Sequence, residues 1–98
     1  MIKHVCLINF NEQYQPENLP SIIDAYNALP ALIPQIKAFE VAADAGLLEG
    51  NADLVVVGEF ASGEDFQAYS VHQAHTDVIF PALGHLMESY STAQYTLD

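Results

Sequence analysis

Arginine is absent from this 98-residue chain, and lysine occurs only as Lys3 and Lys37, against 13 Asp and Glu; the formal net charge at pH 7 is -11. No basic stripe exists to neutralise phosphates, so DNA, RNA and anionic membrane surfaces are not expected as partners. Cysteine is nearly absent too. Cys6 is alone, so no intrachain disulfide can staple the fold, stability must come from a core or a second subunit, and the expected compartment is the cytoplasm. The chain lacks any run of about 18 apolar residues, so no membrane-spanning helix is expected. Its start, Met-Ile-Lys-His-Val-Cys-Leu, lacks the features of a secretory signal. Glycine-rich phosphate loops, a Rossmann fingerprint and a nucleophile elbow are missing, which argues against nucleotide and NAD chemistry.

What is present suits a folded chain. Hydrophobic residues make up 51% and charged residues 15%, too apolar for disorder, and residues 1–98 leave room for one domain only. Ile2 to Phe10 puts His4, Cys6, Ile8 and Phe10 on one strand face and Lys3, Val5, Leu7 and Asn9 on the other. Both faces carry apolar residues, which predicts a strand covered on both sides. Asn18 is placed to cap a helix with apolar Leu19, Ile22, Ile23, Tyr26 and Leu29 at spacings of three and four, ended by Pro30 and Pro34. Ile36 to Ala43 reads as a second strand, with Ile36 and Ala38 set apart from Val41 and Ala43, and Asp44 to Asp53 reads as a connection. Asp53 to Phe60, with Leu54 to Val57 in succession, is a third strand buried on both faces. Ser62 and Asp65 form a capping box for a helix with Phe66, Tyr69 and Val71. A second helical segment, Ala74 to Met87, is kinked or split by Pro81, and Glu88 to Leu97 closes the chain as a strand.

The order β-α-β-β-α-β predicts an α+β, ferredoxin-like fold with a four-stranded antiparallel sheet. Helices cover one face of such a sheet. The other is expected to pack on a second copy, giving a homodimer. Two chains carry a formal charge of -22, twice -11, so the acidic residues are expected on helices and loops rather than on the shared face, with Glu40 and Glu59 as the residues that decide this.

Lys3-His4-Val5, the stretch Leu29 to Pro34, Asn51-Ala52-Asp53-Leu54-Val55 and the run Tyr69-Ser70-Val71-His72-Gln73-Ala74-His75 together resemble the stress-responsive dimeric α/β-barrel (Dabb) family over nearly the whole chain. The resemblance implies a homodimer in which two four-stranded sheets close a barrel. Members usually carry proline after the first histidine of the Tyr-x-x-His-x-x-His run, where this chain has Gln73. Plant polyketide cyclases that resemble the family use the histidine matching His75, with the tyrosine matching Tyr69, to deprotonate and fold a linear substrate. Related folds also include isomerases and cofactor-free monooxygenases.

The candidate catalytic residues are therefore His75 as general base, whose ordinary pKa of about 6.5 suits proton transfer near neutrality, with Tyr69 and His4 as orienting groups. Residues six apart on a straight helix diverge by about 120°, so His75 and Tyr69 converge only if the helix bends between them. The plainer reading is that both simply pack the helix break, and that His4 is a satisfied core histidine. Expected pocket walls are Cys6, Ile8, Phe10, Ile22, Ile23, Tyr26, Phe66, His72, Phe80 and Leu83. Cys6 reads as an inert buried thiol. No metal site and no cofactor are expected, because the zinc pattern of two histidines at i and i+4 with a glutamate is missing. A small apolar or aromatic metabolite is the expected ligand, bound by an enzyme or by a non-catalytic binding protein.

Overall fold

The computed structural model describes residues 1–97. Strand β1 (Ile2–Phe10) leads through a 3-10 turn to helix α1 (Leu19–Leu32), then β2 (Ile36–Ala43), β3 (Leu54–Phe60) and α2 (Gly63–Ser70). A π-helical turn (His75–Ile79), the short helix α3 (Phe80–Leu83) and a 3-10 turn (Gly84–Leu86) then lead into β4 (Met87–Thr96). The sheet is antiparallel in the order β2-β3-β1-β4. This is the ferredoxin-like α+β arrangement.

The alternation along β3 is strict: Leu54, Val56, Gly58 and Phe60 are buried while Val55, Val57 and Glu59 are half-buried. The buried set faces the helices. Ile22, Tyr26 and Leu29 of α1, spaced by four and three, complete the core with Ile33, Tyr69, Leu83 and Leu86, the periodicity that lays one helical face on a sheet. At Ser62 the hydroxyl accepts from the Asp65 N–H at 3.2 Å, and Glu64 and Asp65 lie in the first turn of α2, where acids complement the helix dipole.

Several local expectations are corrected. Pro30 does not end α1, which continues to Leu32 and closes with the Ile33 N–H donating to Leu29 at 2.9 Å; the proline lies so near the C-terminus that it costs a single intrahelical bond. Asn18 precedes α1 but spends its side chain on the earlier turn, accepting from the Gln15 N–H at 2.7 Å. Met87 belongs to β4 rather than to the helical segment. A bulge between Ile36 and Ala38 shifts the register of β2, so Ile36 shares the helix-facing side with Phe39, Val41 and Ala43, and simple alternation fails there.

The second face of the sheet carries Val5, Leu7, Val55, Val57, Ala42 and Ala93, with Leu7 42% exposed. Glu40 and Glu59 also lie on it, against the expectation that acids avoid this face. Glu59 stands directly across from Lys3, a cross-strand pair of opposite charge that makes one acid tolerable there.

A Cβ added at Gly58 would sit 3.1 Å from the Phe60 ring and 3.3 Å from that of Phe39. Phe60 is fully buried and has no room to give. Gly58→Ala is expected to destabilise the fold by about 1–3 kcal/mol through overpacking, read as a lowered urea midpoint.

Candidate functional site

The helix-facing side of β1 presents His4, Cys6 and Ile8, and the β4 ladder sets Gln94, Thr92 and Tyr90 opposite them. From above, α1 contributes Tyr26 and α2 contributes Phe66, Tyr69 and Ser70. The chain then breaks. After Ser70 the backbone leaves the helix at Val71, the His72 N–H donates to the Tyr69 carbonyl at 3.2 Å, and the His75 N–H donates to the His72 carbonyl at 3.0 Å. His72 Nδ1 accepts from the Ala74 N–H at 3.0 Å, while the Gln73 side chain donates to Asp77 at 2.8 Å. These contacts restart the helix without a proline. The restarted π-helical turn aims His75 back at the sheet, an irregular geometry found often at functional sites.

Residues six apart thereby meet. The Tyr69 and His75 rings lie edge to face with centroids 5.0 Å apart. His4 stands 6.0 Å from Tyr69 and 4.7 Å from Phe66. All of them line one cavity of about 420 Å³, closed by Val56, Ile79, Leu83 and Met87 and with Phe80 and Tyr90 at its exposed rim. That volume is typical of a small-molecule site.

Burial sets the protonation states. His75 has a pKa below the ordinary histidine value because burial penalises the cation, and His4 is lowered by burial and then by the nearby His75. Both rings are thus neutral near pH 7. The Gln94 amide nitrogen lies 2.9 Å from His4 Nδ1; an amide nitrogen only donates, which puts the imidazole proton of His4 on Nε2. Burial also raises the phenols of Tyr26 and Tyr69 well above the usual tyrosine value and pushes the Cys6 thiol up to about 11. Cys6 is therefore a protonated thiol on the cavity wall, with little of the thiolate that nucleophilic chemistry needs.

The cavity gathers His4, Cys6, Ile8, Tyr26, Phe66, Tyr69, His75, Phe80 and Leu83 from among the expected residues. Four others do not line it. Ile22 is sealed in the core, Ile23 packs at its edge, and Phe10 stacks on Tyr14 at 4.0 Å near the end of the sheet. His72 is occupied with the helix restart. Phe80 is 69% exposed and forms the rim rather than an inner wall. Gln94, Thr92 and Tyr90 were missed because only the β1–β4 register brings them beside His4, Cys6 and Ile8. Among the described residues, no three His, Cys, Asp or Glu side chains come together as a metal site would require.

The stress responsive A/B barrel domain (Dabb) model matches residues 2–96. The chain belongs to the Dabb family. A dimeric ferredoxin-like protein of unknown function from Thermobifida fusca is 30% identical to this Dabb chain, covering 98% of it and 90% of the other chain, with a TM-score of 0.87. The Arabidopsis thaliana protein At3g17210 is 28% identical, covering 100% and 96%, with a TM-score of 0.82. A hydroxynitrile lyase from Passiflora edulis is 16% identical, covering 99% and 93%, with a TM-score of 0.82; that likeness carries the fold alone. No curated protein is significantly similar to the chain.

The lowered histidine values make stability depend on pH. The unfolded chain binds protons at His4 and His75 at a higher pH than the folded one, so stability is lost as pH falls through the ordinary histidine value. Urea midpoints measured at about pH 7.5 and about pH 5.5 are expected to drop for wild type, and to drop less for His75→Gln.

Proposed function

We propose that this Dabb chain is a homodimeric, cofactor-independent acid–base enzyme acting on a small molecule with an apolar body and a carbonyl group. The observation that carries the reading is the convergence of His75 and Tyr69 on one largely apolar cavity, across a helix break that turns them together. In this reading neutral His75 takes a proton from the carbon next to the carbonyl. The C–H electron pair passes into the enolate, whose oxygen is held by the Tyr69 hydroxyl, with the Nε2–H of His4 as a second donor. In a substrate with a double bond next to the deprotonated carbon, return of the proton from imidazolium to the far end of the dienolate gives isomerisation; attack of the enolate carbon on a second carbonyl of the same molecule, with the imidazolium proton passing to the alkoxide so formed, gives cyclisation.

The dimer is supported by the open apolar sheet face and by the dimeric Thermobifida fusca relative. Buried against a second copy, that face ceases to be an exposed apolar patch.

A neutral bicyclic ketone, α-tetralone, serves as the probe of the chemistry. Incorporation of deuterium next to its carbonyl, followed by NMR in D2O, is expected to run faster with protein than in buffer, and His75→Ala is expected to lose roughly 10²–10⁴ of the added rate. Exchange no faster than in buffer, or unchanged in His75→Ala, overturns the catalytic reading; binding without exchange assigns the cavity to a ligand-binding role instead. For the dimer, light scattering should return twice the 10.7 kDa chain mass. Added salt should strengthen association, because it screens two chains of charge -11 from each other. A mass of one chain at micromolar concentration overturns it.

A further inference from the structure

The cavity lining contains no lysine, arginine, aspartate or glutamate. Neither cation of the chain is available to it. Lys3 lies on the opposite face of β1, across from Glu59, and Lys37 is exposed at the β2 bulge. The polar groups that do line it are phenols, imidazoles, a thiol and aliphatic hydroxyls. Tyr26 and Tyr69 are both buried, at 5% and 3% exposure, and Phe39 joins them from outside the cavity, its ring 6.3 Å from the first and 6.2 Å from the second. Both phenols line the same cavity as Cys6, and burial, then Cys6, raises both of them. Among the described residues neither phenol oxygen has a hydrogen-bond partner, and neither is sealed in the core. Two phenol hydroxyls that open onto one cavity, with no acceptor from the chain, are placed to donate to a bound molecule.

We infer that the cavity takes an uncharged molecule of one or two rings whose oxygen accepts hydrogen bonds from Tyr26 and Tyr69 together, and that it rejects carboxylates and phosphates. An anion entering this space would be stripped of water with no fixed cation to meet it, which costs several kcal/mol in real proteins. The overall acidity of the chain opposes its approach as well. A hydrocarbon of the same shape would fit the walls but leave both phenols unpaired. This deepens the reading of the cavity as the reaction site and adds Tyr26 as a residue that selects the ligand.

The test compares three ligands of one shape at about pH 8, where free histidine is largely neutral: α-tetralone, tetralin and tetralin carboxylate, each titrated by NMR or calorimetry. The ketone is expected to bind about tenfold tighter than the hydrocarbon, the worth of one to two hydrogen bonds, and at least about tenfold tighter than the carboxylate. Tyr26→Phe and Tyr69→Phe should each remove most of the ketone's advantage over tetralin, with the affinity for tetralin retained as the control for an intact cavity. Carboxylate binding as tight as the ketone's in the wild-type protein overturns the inference, as does an unchanged ketone-to-hydrocarbon ratio in both variants. Selective ketone binding without proton exchange removes the role of His75 and leaves this inference standing; exchange with carboxylate bound equally well does the reverse.

Discussion

A sheet that carries apolar side chains on both faces is the constraint from which the rest of the molecule follows. Burying such a sheet is the main source of stability in a chain with no disulfide and a large negative charge. On one face α1 and α2 settle over the central strands, sealing Leu54, Val56 and Phe60. They do not reach β4, whose residues from Glu88 to Thr96 are exposed. The uncovered strip between the last helical turns and β4 is the cavity. The site is therefore a by-product of how far two short helices can extend across four strands, and its rim residues Phe80 and Tyr90 mark the limit of that coverage.

Within this frame the break after Ser70 brings His75 to Tyr69. An unbroken helix would bury Tyr69 and send His75 around to another side. The turn through Val71 and Gln73 folds the chain so that imidazole and phenol share one largely apolar space. Burial then fixes the protonation states: it holds the histidines neutral and the tyrosines and cysteine protonated. A base and its hydrogen-bond donors are thereby available near neutral pH without any charged side chain in the lining. The same burial ties stability to pH, because protonating either histidine weakens the fold.

Much of this was legible in the sequence, for identifiable reasons. Strand β3 reads correctly because Leu54 to Val57 is a mostly β-branched apolar run of strand length, and α2 because Ser62 and Asp65 cap it by a local hydrogen bond. The convergence of His75 and Tyr69 was legible as a condition, that the helix must bend, and Gln73 withheld the usual sign of a bend. Where the reading failed, the cause was non-local. The β2 bulge moves Ile36 to the helix-facing side and helps to leave Glu40 on the open face, and nothing in the local pattern of residues 36–43 announces it. Gln94 meets His4 from 90 positions away, a contact that only strand register creates. Ile22 was placed on the wall because it shares a stripe with Tyr26, but one helical turn separates a core position from a cavity position.

Burial in the cavity lining holds both imidazoles neutral. Titration of the His4 and His75 ring resonances by ¹⁵N-edited NMR tests it most directly. Both rings should titrate below the ordinary histidine value of about 6.5, with the proton of neutral His4 on Nε2. Titration of either ring at or above that value would contradict the burial of both imidazoles and, with it, the proposal of a neutral base.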